Sequence, residues 1–381
     1  MPVQLIPVEV LDRMANFLAP KGHMTSDDSS NSRVADNSLA DGVGGRAVLE
    51  QLITVGRGPI GDIAVGGADI DSVVVANVAA QGVSISDPAA RHPRDNVAVT
   101  GEVAVPGEPV ALVVTDYRAY VTTSSASQDA VSAIDLETRA VVATFPMSFG
   151  VTALAASPDG KRVYAGRTAR DRVDITVIDT VAERAGTIDI GYGPAANLDA
   201  LCVDPNGKRL YAAVTDDSGS RLVIVDSERS RVQRVVAVGS PIRDIAYADG
   251  MVYVLTSDRA VGGAVHVIDL STNKVTDTVK IGGAPTQLVM SPDHARAYVV
   301  DYDRVAVLCT LSLEIVDSLS VDARPSCVTL GSDGSRLYIA DYSGTVHVFA
   351  VASTIEMLCS QFLATDPIAL SVPRALQPAT A

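Results

Sequence analysis

The chain has 381 residues, a formal net charge of −15, 47% hydrophobic residues, no Trp and only five Phe. That is the composition of a globular protein large enough to bury a substantial core. A pI near 4.7 without a Lys/Arg-rich run removes the field that neutralises phosphates, and the scarcity of large aromatics removes stacking platforms, so nucleic acid is excluded as a partner.

In chain order, Val8, Leu11, Met14, Ala15 and Leu18 recur at helical spacing before Pro20, which predicts one short amphipathic helix. Residues 25–45 are rich in Ser, Asp and Gly and read as a disordered linker, so 1–45 is expected to be an N-terminal extension. No basic segment followed by an apolar stretch opens the chain, and no run of about 18 apolar residues follows. A cytoplasmic location without a membrane span is therefore expected, with export by a non-classical route or envelope association as the alternative. Cys202, Cys309, Cys327 and Cys359 stand singly in apolar contexts and read as free thiols.

From residue 46 to 372 one block recurs: an apolar strand, a tight turn, a strand centred on Tyr, a loop, a strand closing on Asp, and a fourth strand. The second-strand anchors Val74, Tyr120, Tyr164, Tyr211, Tyr253, Tyr298 and Tyr338 are 40 to 47 residues apart. The third-strand ends Asp87, Asp135, Asp179, Asp226, Asp269, Cys309 and Ala350 keep the same drift. Two rulers agreeing over seven copies of four short strands predict an all-β, seven-bladed β-propeller, with 373–381 as a C-terminal tail. In SPDGKRVY (157–164), DPNGKRLY (204–211) and GSDGSRLY (331–338), Gly supplies a positive φ while Asp or Asn bonds its own turn. The Asp closing the third strand is expected to accept backbone N–H groups of the following turn, and the Tyr ring to pack between blades.

The motif PDGKRVYAG followed by VIDT, with VGSPIRDIAY and IGGAPTQLVMSPDHARAYVV between blades, resembles the YVTN-type β-propeller repeat of surface-layer-like and lactonase-like bacterial proteins. The resemblance spans about residues 49–372 and implies a scaffold more firmly than an activity. Two segments compete to close the ring, 47–56 from the N-terminus and 353–372 from the C-terminus, and the N-terminal one is preferred.

Propellers bind at a channel mouth lined by the start of the innermost strands. Repeat alignment gives one mouth column of Gly61, Val110, Thr152, Asp199, Arg243, Thr286 and Ser326, and a second of Asp62, Ala111, Ala153, Ala200, Asp244, Gln287 and Cys327. Arg57 and Arg324 lie just upstream. The expectation is a solvent-facing, mixed-charge funnel in which Asp62, Asp199 and Asp244 oppose Arg57, Arg243 and Arg324, with Gln287 among them. Three carboxylates could take Ca²⁺, and three arginines an anion. Neither column holds His or Glu, which the lactonase-like resemblance would call for. The leading expectation is thus a monomeric, non-catalytic scaffold binding a protein partner or small ligand at the mouth. The alternative is a metal- or carboxylate-assisted hydrolase of a small lactone or ester.

Overall fold

Strands begin where Val, Ile and Tyr alternate or run together, and they end where Gly, Asp or Pro prevents the ladder from continuing. A computed structural model describes residues 47–67, 71–87, 97–99, 101–148 and 150–352. These form seven four-stranded antiparallel sheets, one of them extended by a parallel strand, arranged as the blades of a propeller. The innermost strands, in chain order, are Ile60–Gly66, Glu108–Val114, Val151–Ala156, Asn197–Val203, Ile242–Ala248, Gln287–Met290 and Pro325–Leu330. The expected N-terminal helix, the linker, the segment 353–372, the tail and Cys359 lie outside the described residues. Cys202, Cys309 and Cys327 are free.

The ring is closed from the N-terminal side. Val48–Thr54 pairs antiparallel with Thr345–Ala350 and supplies the outer strand of blade seven, with Ile53 opposite Val346. A two-residue strand, Val97–Ala98, adds in parallel beyond it, so that sheet has five strands where the other six have four.

Burial explains why the blades stack. Seven clusters of buried apolar side chains occur, and each draws residues from two adjacent blades. The second-strand anchor sits in every one. Tyr164 joins blades three and four, Tyr211 four and five, and Val74 blades one and two. Outer strands carry the solvated face, as in Arg231–Gly239, most of which is exposed.

The turns behave as their chemistry dictates. Gly160, Gly207 and Gly334 occupy the left-handed region that the first hairpin turn requires, and His294 takes the same position in blade six. Asp179 accepts the N–H groups of Val181 and Ala182, and Asp226 those of Glu228 and Arg229. Because neighbouring strands are antiparallel, the connectors into the inner strands share one face of the ring with the second-to-third strand loops. The first hairpin turns and the third-to-fourth turns share the other face.

Candidate functional site

The mouth is shaped by one irregularity repeated around the ring. In six of the seven blades the inner strand slips register against the second strand, between Ile60 and Asp62, Pro109 and Leu112, Val151 and Ala153, Leu198 and Ala200, Ile242 and Asp244, and Pro325 and Cys327. The skipped residue is Gly61, Thr152, Asp199, Arg243 or Ser326 in five of them, which is the first mouth column. A bulge leaves that residue out of the ladder and re-aims its side chain.

Inside the bulges lies a cavity of about 360 Å³, bordered by Asp62, Thr152, Asp199, Asp244 and Gln287 together with Ala, Val and Leu side chains. Its polar groups reach across blade junctions. Asp62 takes the N–H of Ile63 on one oxygen (2.9 Å) and that of Leu112, in the next blade, on the other (2.8 Å). Asp244 repeats this with Ile245 (2.8 Å) and Leu288 of the next blade (2.8 Å). Gln287 Oε1 accepts the N–H of Val328 (2.7 Å), and the Thr152 hydroxyl donates to the carbonyl of Leu198 (2.6 Å). Asp199 is held within its own blade, by the Asn197 amide and the Thr215 hydroxyl, while Thr168 of the preceding blade donates to Asn197.

Electrostatics sets Asp62 and Asp244 apart. Both keep partial access to the lumen but are surrounded by protein, and burial pushes each carboxyl up to about 7 despite the two N–H groups that favour the charge. The charge of Asp62 adds to the rise at Asp244, although the two stand on opposite sides of the ring, three blade positions apart by the shorter way. The solvent-facing, mixed-charge funnel expected from sequence is therefore revised at these two residues. Desolvation outweighs the hydrogen bonds, and near neutral pH both carboxyls are substantially protonated.

The arginines occupy the outer part of the same face. Arg57 is exposed in the connector into blade one, and Arg243 is exposed at the bulge of blade five. The Arg324 guanidinium lies 3.9 Å from the ring centre of Tyr302 and 6.0 Å from that of Tyr342, and its carbonyl accepts the Tyr342 N–H. The two rings are half exposed, at 50% and 54%. Sequence reading missed Tyr302 and Tyr342, which stand alone in the loop sequences DYDR and DYSG. It placed Thr152 in the first mouth column without foreseeing its bond to Leu198 of the next blade.

Calcium does not fit this donor set. Among the described residues, no three His, Cys, Asp or Glu side chains converge in a way that could hold a metal ion. The described histidines of the third strands are satisfied locally: His347 pairs with Asp341 at 3.0 Å, and His266 lies between Thr256 and Thr278. No helix among the described residues is long and apolar enough to cross a membrane.

No protein-family model matches the sequence. Two curated proteins are similar to it over most of their length. One is a seven-bladed beta-propeller protein of Mycolicibacterium smegmatis, 49% identical over 343 residues, covering 90% of this chain and 90% of the relative. The other is the seven-bladed beta-propeller protein Rv1057 of Mycobacterium tuberculosis, 35% identical over 309 residues, covering 71% of this chain and 76% of that protein. Among solved structures, hydrazine synthase of Kuenenia stuttgartiensis superposes with a TM-score of 0.65 at 20% identity, covering 84% of this chain and 99% of that one. At that identity the likeness concerns the fold alone.

Proposed function

The chain belongs to the seven-bladed β-propeller proteins, and we propose that it works as a non-catalytic scaffold that binds a protein partner at the channel face carrying Arg57, Arg243 and Arg324. One observation carries this reading: the lumen's polar groups are already engaged in holding the ring together. Asp62 and Asp244 bond the next blade through the same contact that Gln287 makes with a neutral amide. A position served equally by Gln needs an acceptor, not an acid or base. What the face offers outward is Tyr302 and Tyr342, half exposed beside the partly buried Arg324, together with the exposed Arg57 and Arg243. Tyr and Arg are over-represented among residues that dominate binding energy, because each presents a large, stiff surface with a polar handle.

The test is site-specific photo-cross-linking in cells. A cross-linker at position 302 or 243 is expected to trap a discrete partner that Arg324→Glu abolishes, while one on an outer strand, at Val235, traps none. Equal trapping from all three positions defeats the reading.

A second reading, hydrolysis of a small lactone or ester, is favoured by the near-neutral titration of Asp62 and Asp244, since groups poised near 7 can move protons. A lactone panel assayed with Ca²⁺ supplied distinguishes the two. Turnover by the wild type that is lost in the Asp62→Asn, Asp244→Asn double variant would replace the scaffold reading.

A further inference from the structure

On the opposite face of the ring, the first hairpin turns of blades three and four enclose a larger cavity, of about 610 Å³. Its walls are stiff. Each turn is tied to the third-to-fourth turn of its own blade, through Thr180, which donates from its hydroxyl to Gly160 and from its N–H to Lys161, and through Ser227, which does the same to Gly207 and Lys208. Lys161, Arg162 and Lys208 border the space. Three carboxylates border it as well, those of Asp159, Asp179 and Glu228. Asp159 and Asp179 each accept the hydrogen bonds of their own turn on one oxygen, and Lys161 lies 3.9 Å from the other oxygen of Asp159.

At the inner end stands Tyr164, 0% exposed, whose hydroxyl has no hydrogen-bond partner. The equivalent hydroxyls are satisfied elsewhere. The Arg two residues upstream bonds the Tyr in blades four, six and seven (Arg209 to Tyr211, Arg296 to Tyr298, Arg336 to Tyr338), and Thr310 serves Tyr253 in blade five. In blade three the corresponding residue, Arg162, is exposed and borders the cavity, and the hydroxyl behind it is left as a donor. Buried hydroxyls are ordinarily paired. Among the described residues those of Thr123, Ser132 and Thr176 are likewise without a partner, but of the four only Tyr164 borders this cavity. There Lys161, Arg162 and Lys208 stand among the three carboxylates, and the unused donor of Tyr164 points to an acceptor.

We propose that this cleft between blades three and four binds a small organic or inorganic oxyanion, one oxygen accepting from the Tyr164 hydroxyl and the others meeting Arg162, Lys161 and Lys208. The cavity is of the size that small ligands occupy, and Arg with Lys supplies the charge-assisted donors that carboxylate and phosphate groups require. The site shares no residue with the channel face and stands or falls apart from it.

Citrate and inorganic phosphate are the probes, read by thermal melting and isothermal titration calorimetry on the full chain against sodium chloride at equal ionic strength. At least one probe is expected to raise the melting temperature beyond the chloride control. Tyr164→Phe is expected to melt like the wild type without the probe, since its hydroxyl bonds nothing, yet to lose about tenfold or more in affinity, as is Arg162→Ala. Tyr211→Phe, which removes a bonded hydroxyl, serves as the contrast and is expected to melt lower with probe binding retained. The proposal is overturned if neither probe exceeds the chloride control, if Tyr164→Phe binds as the wild type does, or if it lowers the probe-free melting temperature as much as Tyr211→Phe.

Discussion

The carboxylates of the lumen and those of the outer turns make similar bonds and differ in charge state. Asp62 and Asp244 each accept two backbone N–H groups, and so do Asp179 and Asp226. In the turns, the N–H of Ala182 holds Asp179 below the usual carboxylate range, and the N–H of Arg229, with its side chain and that of Gln233, brings Asp226 down to about 2. In the lumen, burial overrides the same pair of bonds and raises both groups to about 7. The number of donors does not decide the ionisation; the position in the ring does. A turn Asp is an anion fixing a local loop, whereas a lumen Asp is a half-neutral joint between blades.

The comparison presupposes a closed ring, and the largest effect tests that. Deleting residues 1–57 removes the strand Val48–Thr54, strips Ile53 and Val55 from the cluster between blades seven and one, and opens the ladder along Thr345–Ala350. That variant is expected to lose its cooperative melt, while deletion of 1–45, which spares the strand, retains it. Differential scanning calorimetry decides, and equal melting of the two would mean that the N-terminal strand does not hold the ring.

Next in size is the pH response of the lumen pair. A carboxyl raised above its unfolded value binds more protons when folded, so it favours the folded state at low pH and loses that advantage as pH climbs from about 4 through about 7. The rise from 3.8 to about 7 corresponds to at most about 4 kcal/mol per group above pH 7, less whatever lumen water offsets. Asp62→Asn and Asp244→Asn keep an acceptor for Leu112 and Leu288 without the charge. Denaturant melts at pH 5 and pH 8 are therefore expected to coincide more closely in the double variant than in the wild type, with the variant the more stable at pH 8. Gln287→Glu is the converse: a third carboxyl at the same kind of joint, expected to cost about 1 to 3 kcal/mol at pH 8 and little at pH 5. A cost independent of pH would mean that shape, not charge, governs these positions.

Much of this architecture can be read from sequence, because each repeat states its own rule. The Tyr spacing fixes the blades, SPDG and DPNG fix the first turn, and an Asp after Val-Ile marks the third strand. All three act locally or through neighbouring blades of known order. The state of the lumen cannot be read in the same way. Asp62 and Asp179 are both Asp beside an Ile, and nothing nearby in the chain tells that Asp62 will meet Leu112, fifty residues on, in a space that water reaches poorly. Thr152 turns inward only because of a bulge, and Arg324 finds Tyr302 and Tyr342 only when blades six and seven stack. Alignment picked out residues that border the lumen cavity, but not the burial of Asp62 and Asp244.

The smallest expected effect lies in the turns, and its sign is what matters. Asp179 and Asp226 are lowered below the unfolded value, so their contribution is present above about pH 4 and is lost as pH falls through their folded values, about 2 for Asp226. Asp179→Ala is expected to lower the melting temperature by about 1 to 3 °C at pH 7, with Asp226→Ala at the upper end because Arg229 and Gln233 lose their partner as well. The deficit should shrink as the solution is acidified and the wild-type carboxylates are protonated. Acidification thus weakens what the turns contribute and strengthens what the lumen contributes, within one ring and with one residue type. Melting curves of the turn variants and the lumen variants over the same pH series test this directly. If the two sets drift in the same direction with pH, burial is not what separates them, and the assignment of Asp62 and Asp244 as neutral joints between blades fails with it.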